Sequence, residues 1–80
     1  MGERTPVRIP KLSLATSEAG LVEWLVADGS LVTEGQALYV IETDKVETEV
    51  EAATSGVIHH EAEAGQVYPV GTEIASIEAT

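Results

Sequence analysis

Apolar residues in this chain come in short runs that are separated by glycine-marked turns. Such runs are typical of β-strands, and no stretch shows the 3.6-residue periodicity of an amphipathic helix. The pattern predicts strands over residues 7–9, 21–26, 31–32, 37–41, 46–52, 57–60, 67–68 and 73–77. The sequence therefore predicts an all-β protein.

The second half of the chain repeats the pattern of the first. A shift of 36 residues aligns residues 20–42 with residues 56–78 without a gap. Three of the identical positions are glycines expected to serve turns: Gly20 with Gly56, Gly29 with Gly65 and Gly35 with Gly71. Self-similarity at a fixed offset indicates two related units. We predict a flattened β-barrel or sandwich of two roughly four-stranded antiparallel sheets with pseudo-two-fold symmetry, a barrel-sandwich hybrid.

Chain length and symmetry also predict the domain organisation. Eighty residues are enough for one domain, and we expect residues 1–80 to form it, with an ordered core over about residues 7–78. Under the two-fold, the hairpin between the strands at 37–41 and 46–52 corresponds to the junction of the last and first strands. The two chain ends should therefore lie close together, at the pole opposite that hairpin.

The hairpin connection holds the most unusual residues of the chain. Asp44 and Lys45 would occupy the centre of a two-residue turn, where the common hairpin turns prefer a glycine. We therefore expect a type I turn that projects Lys45 away from the body of the protein. Taken alone, this lysine is better explained as an ordinary solvated turn residue, because turns are generally polar.

The strand after this turn alternates strictly. Glu47, Glu49 and Glu51 take one side, and Val46, Thr48, Val50 and Ala52 take the other, which predicts a half-buried strand with a solvated acidic face. The acidic face either serves solubility alone or helps to dock a basic patch on an enzyme partner.

Composition limits the classes of partner that the chain could bind. The formal net charge of −10 disfavours nucleic acid and anionic membrane surfaces, and no apolar run is long enough to span a membrane. The chain has no cysteine, which excludes disulfides and thiolate metal sites and suits a reducing compartment.

The residues of the two glycine turns and of the hairpin resemble a known family. The segment from Asp28-Gly29 to Glu34-Gly35, followed by Glu42-Thr43-Asp44-Lys45-Val46, resembles the lipoyl domain of 2-oxo acid dehydrogenase acyltransferases. The resemblance extends over about residues 7–78. The segment 11–19, which the resemblance places beside the hairpin, follows the family pattern only loosely, and Val46 stands where alanine is common.

The resemblance implies a carrier rather than an enzyme, with no catalytic residue and no metal. Lys45 would bear lipoate through an amide on its side-chain nitrogen, and Asp44 and Val46 would flank it in the turn. Implied partners are a lipoate ligase or octanoyl transferase, a thiamin-dependent 2-oxo acid decarboxylase, an acyltransferase core and a dihydrolipoamide dehydrogenase. We expect a monomeric domain, excised or stand-alone, from the bacterial cytoplasm or the mitochondrial matrix.

Three other functions are weighed against this one. A biotinyl carrier domain of a biotin-dependent carboxylase has a similar fold, but that family usually brackets its lysine with methionines, and Met1 is the only methionine here. A plain binding module would need no modified lysine. An independent enzyme is disfavoured because His59 and His60 are adjacent on a predicted strand and should face opposite sides. Trp24 lies in an apolar strand and is expected to pack.

Overall fold

The computed structural model describes residues 3–11, 17–43 and 46–79, and within these ranges the chain forms strands and no helix. The predicted all-β class is confirmed. The strands are β1 (Arg4–Arg8), β2 (Glu18–Trp24), β3 (Leu31–Val32), β4 (Ala37–Thr43), β5 (Val46–Glu51), β6 (Gly56–His60), β7 (Gln66–Pro69) and β8 (Glu73–Glu78).

Two predicted strands are displaced along the chain. The strand predicted at 7–9 is β1, which begins at Arg4 because Arg4 already pairs with Glu78 of β8. The strand predicted at 21–26 is β2, which begins at Glu18 through its pairing with Pro69 of β7 and ends at Trp24. Both differences arise from long-range pairing, which apolar runs in the sequence do not report.

Gly20 and Gly56 were also predicted to serve turns, and this prediction is wrong. Gly20 pairs with Glu42 within β2, and Gly56 pairs with Val32 at the start of β6.

The strands form two four-stranded antiparallel sheets, ordered β1-β8-β6-β3 and β5-β4-β2-β7. This confirms the predicted sandwich architecture. The two sheets have the same strand order when β1 is matched with β5, β8 with β4, β6 with β2, and β3 with β7. Each sheet therefore combines strands from both ends of the repeat, and neither half of the chain forms a sheet alone.

The core lies between the two sheets and is almost wholly aliphatic. The largest fully buried side chains are Tyr39, Ile9, Leu21, Leu38, Ile41, Ile58, Ile74, Ile77 and Val32. Apolar burial of this kind contributes most of the stabilisation of a small domain. The core includes residues that match under the 36-residue shift, such as Ile41 with Ile77 and Leu38 with Ile74.

The described ends of the chain, Glu3 and Ala79, lie side by side, as the symmetry predicted. Arg4 pairs with Glu78 at one end of the β1–β8 ladder, and the Ala79 amide donates to the Glu3 carbonyl at 2.8 Å. A chain that continues from either end would therefore leave the domain at one place.

Candidate functional site

The predicted hairpin is formed by β4 and β5. These strands pair antiparallel from Ala37 opposite Glu51 to Thr43 opposite Val46. Two residues connect Thr43 to Val46, and these are Asp44 and Lys45, which lie outside the described residues. Their type I turn stays a prediction, whereas the paired strands on either side of them are established.

β4 anchors the hairpin in the body of the domain. It lies between β5 and β2 in its sheet, and its side chains from Leu38 to Ile41 are buried. The Tyr39 hydroxyl donates to the Arg8 carbonyl of β1, in the other sheet, at 3.3 Å. Burial raises the pKa of Tyr39 to about 12, so this phenol stays protonated and keeps its donor at neutral pH.

The surface beside the connection is open. Val46 is 59% exposed, and Glu42 and Glu47 are exposed on adjacent strands. Val46 was predicted to lie on the buried side of its strand, and this prediction is wrong because its side chain is exposed. The alternation holds at Thr48 and Val50, which are half-buried, but Val46 is opposite Thr43 at the end of the ladder, beyond the last buried residue of β4, Ile41.

The segment from Lys11 to Ala19 was expected to lie beside the hairpin by resemblance. Residues 12–16 of this segment lie outside the described residues, so that placement stays a prediction. After these residues, the Ser17 carbonyl accepts a hydrogen bond from the Val70 amide at 3.0 Å, and Ala19 is buried in the core.

The two histidines have different neighbours, as their adjacency on a strand predicted. The Nε2 atom of His59 is 3.1 Å from a Glu78 carboxylate oxygen. The His60 ring stacks on Trp24, with ring centroids 3.9 Å apart. Among the described residues, no group of three histidine or acidic side chains could hold a metal ion.

Trp24 and His60 form a cluster that sequence reasoning missed. The Trp24 indole also packs edge-on against Tyr39 and donates to the Ala62 carbonyl at 3.2 Å. Burial lowers the pKa of His60 and outweighs the nearby Asp28 carboxylate, which raises it. The signal was present in the sequence, because the 36-residue shift aligns Trp24 with His60. The stack thus joins the same position of the two halves.

A shallow groove of about 440 Å³ adjoins this cluster and is bordered by residues 61–64.

In the described ranges, no helix has the length and apolar character required to cross a membrane. Thr43 and Val46, the last pair of the β4–β5 ladder, border the sequence-predicted site, and the site's Asp44 and Lys45 stay a prediction because they lie outside the described residues.

Comparison with known proteins identifies the family to which the chain is similar. The model of the biotin/lipoyl family, described as "Biotin-requiring enzyme", matches residues 5–77. The chain is similar to the dihydrolipoyllysine-residue acetyltransferase component of the pyruvate dehydrogenase complex of Rhizobium meliloti, with 38% identity over 91% of this chain and 15% of the relative.

Two further relatives come from other complexes. The acetyltransferase component of the acetoin cleaving system of Cupriavidus necator is 38% identical over 81% of this chain and 18% of its own length. The succinyltransferase component of the 2-oxoglutarate dehydrogenase complex of Bacillus subtilis is 35% identical over 89% of this chain and 17% of its own length. The chain thus spans less than a fifth of each of these relatives.

Proposed function

The chain belongs to the biotin/lipoyl domain family, and from this premise we propose that it is a lipoyl carrier domain whose Lys45 bears lipoate through an amide. The observation that carries the proposal is the β4–β5 ladder, which ends at Thr43 and Val46 on either side of the connection that contains Lys45. Asp44 and Val46 flank the lysine and would form its immediate recognition context.

The residues near this connection fit an attached acyl group. The exposed Val46 and the exposed carboxylates of Glu42 and Glu47 border it, and the described residues there leave the surface open to a modifying enzyme. The Lys45 amine would attack an activated carboxyl group, so that an amide forms and the activating group leaves. When bound, lipoate supplies a dithiolane that carries acyl groups and electrons.

The contribution of the protein itself is position. Burial of β4 fixes the base of the hairpin, and the adjacent chain ends give one point at which a linker can join. A linker at that point would hold the carrier near its enzymes and raise its effective concentration at each of them. In this proposal the domain is a substrate of other enzymes and catalyses nothing itself.

The names of the relatives suggest the partners. Each is a dihydrolipoyllysine-residue acyltransferase component, and the chain matches only a small part of each. We therefore propose that the domain serves a multienzyme system of this kind. Its partners would be a lipoate ligase or octanoyl transferase, a thiamin-dependent 2-oxo acid decarboxylase, an acyltransferase core and a dihydrolipoamide dehydrogenase.

Intact-mass measurement tests the attachment. Lys11 and Lys45 are the only lysines of the chain, which provides a matched pair of variants. After incubation with lipoate ligase, lipoate and ATP, the wild type and Lys11→Arg should gain one lipoyl amide, and Lys45→Arg should gain none. A parallel incubation with biotin ligase and biotin tests the biotinyl alternative. Biotinylation without lipoylation, or no gain on a folded wild type, would overturn the proposal.

A further inference from the structure

The outer side of β5 carries three glutamates in a row. Glu47, Glu49 and Glu51 are exposed, whereas the intervening Thr48 and Val50 are half-buried. Alternate residues of a strand lie about 7 Å apart on one face, so the three carboxylates form a straight series, which we call the acidic row. β5 is also the last strand of its sheet, so the row lies along a sheet edge.

The acidic row carries an electrostatic cost in this fold. Glu47 lies directly opposite Glu42, and both side chains are exposed. Like charges at directly opposed positions of a β-ladder are destabilising. Among the described residues, the ion pairs are Arg4 with Glu78 and His59 with Glu78, and neither involves the row. These ion pairs therefore do not offset the repulsion.

The other half of the molecule provides an internal control. β1 pairs with β8 as β5 pairs with β4: Glu78 faces Arg4 where Glu42 faces Glu47, and Glu73 faces Arg8 where Ala37 faces Glu51. β1 reads Arg-Thr-Pro-Val-Arg and the matching stretch of β5 reads Glu-Thr-Glu-Val-Glu, with the same alternation of exposure. The half-buried threonine and valine are identical in the two strands. The exposed positions of β1 carry arginine or proline where those of β5 carry glutamate.

We propose that the acidic row is a docking surface for an extended, basic segment of an enzyme that acts on Lys45. This inference rests on the proposed function, because the row begins two residues after Lys45. The fold fixes the half-buried positions in both strands but accepts arginine, proline or glutamate outside. The repeated glutamates are thus explained by a partner that neutralises them.

Spacing and charge determine the kind of partner. A basic strand or extended segment has the same repeat of about 7 Å, so its alternate arginine or lysine side chains can meet the three carboxylates in register. The net charge of −10 would attract such a segment at long range, and the row would determine where it binds.

The test uses a synthetic peptide of alternating arginine and threonine as the probe, titrated into the ¹⁵N-labelled domain at low salt. The row variant replaces Glu47, Glu49 and Glu51 with lysine. The matched control replaces three exposed glutamates elsewhere, Glu18, Glu34 and Glu63, and so changes the net charge equally.

We expect amide shifts concentrated on β5 and absent from β1. The row variant should bind about tenfold more weakly, because its lysines repel the basic peptide where the glutamates attracted it, while the control loses much less. Equal weakening of both variants would show that net charge alone attracts the peptide and would overturn the docking surface. Unchanged affinity in the row variant would also overturn it.

The same preparations separate this inference from the carrier function. Each is first incubated with lipoate ligase and weighed by intact mass. A lipoylated wild type whose peptide affinity does not depend on the row overturns the docking surface only. A wild type that binds through the row but is not lipoylated overturns the carrier function and, with it, the assignment of the partner as an enzyme acting on Lys45. Dispersed ¹⁵N spectra establish that each variant is folded.

Discussion

The two halves of the molecule hold each other's turns in the same way. The Gly35 amide donates to the Ala52 carbonyl just after β5, and the Gly71 amide donates to the Ile9 carbonyl just after β1, both at 2.9 Å. Both glycines have positive φ near 90°, a conformation that side chains rarely tolerate. The halves are thus interlocked through equivalent contacts, and what they share is what the fold requires.

The halves differ at positions where the fold places few constraints on the side chain. The outer positions of β1 and β5 differ in charge, the stacked rings are Trp24 in one half and His60 in the other, and β2 carries a register shift after Leu21 that the β6–β8 ladder lacks. Substitution of matched positions therefore separates what is required by packing from what one half alone has acquired.

The largest effects should come from the shared core. Ile41 and Ile77 are matched residues, and both are fully buried. Replacing either with alanine removes buried methyl groups and leaves a cavity, which costs about 2–5 kcal/mol. We expect similar losses in the free energy of unfolding, measured by urea denaturation. A large loss in one variant and a negligible loss in the other would contradict an equivalent role for the two halves in the core.

Alanine substitution at one matched pair of glycines should change the stability of the domain by unequal amounts. A Cβ at Gly56 would overlap the carbonyl oxygen of Glu78 and lie 2.8 Å from its carbonyl carbon. A Cβ at Gly20 would lie 3.8 Å from the Glu42 carbonyl oxygen, an ordinary contact. Gly56→Ala should therefore destabilise by more than about 1 kcal/mol, while Gly20→Ala should change stability by less than that.

Thermal and urea unfolding of both variants provides the measurement. The contrast follows from register, since Gly20 faces Glu42 directly, whereas β6 is shifted so that Val57 rather than Gly56 faces Glu78. Equal tolerance of alanine at the two positions would show that β8 yields to the added carbon.

The sequence predicted most of this fold because its signals are local and repeated. Glycines at 29, 35, 65 and 71 marked turns, and the 36-residue shift implied two equivalent sheets. The alternation in residues 46–52 assigned the exposed and the half-buried side chains of β5 correctly, except that Val46 is exposed. The beginnings of β1 and β2 could not be predicted, because they are set by partners on β8 and β7 that are remote in the chain.

The candidate site could be predicted from the sequence only in part. The hairpin strands and their register follow from an apolar run, a short polar connection and a strictly alternating segment, and the structure has the strands as β4 and β5. The matching register of β1 and β5 could not be read in advance, because it relates strands that fall outside the aligned repeat. The contrast between Arg4 and Glu47 therefore became visible only through their partners, Glu78 and Glu42.

The edge strands should respond to charge reversal with opposite signs. Glu47→Lys replaces a repulsion with Glu42 by an attraction, so it should stabilise the domain by about 0.5 kcal/mol. Arg4→Glu removes an ion pair with Glu78, in which the charged atoms are 3.8 Å apart, and should destabilise by a similar amount of about 0.5 kcal/mol. Urea denaturation at low salt measures both, and added salt should diminish both effects. A loss of stability in Glu47→Lys would mean that the fold itself depends on this glutamate.

The smallest expected effect concerns the stacked pair, in which only one half contributes a titratable ring. Burial lowers the pKa of His60 from 6.5, so the folded domain binds a proton there less readily than the unfolded chain does. The resulting stabilisation is fully present above about pH 6.5 and is lost as the pH falls through the lowered pKa. The effect is small because His60 is only half-buried.

His60→Phe retains an aromatic ring against Trp24 but cannot titrate. The wild type should therefore lose stability relative to this variant between about pH 8 and about pH 5, as measured by urea unfolding across that range. His59, which contacts Glu78 rather than the stack, is present in both proteins and so does not distinguish them. A constant difference across the range, or one with the reverse slope, would show that the contact with Trp24 and the Asp28 carboxylate outweighs burial at this ring.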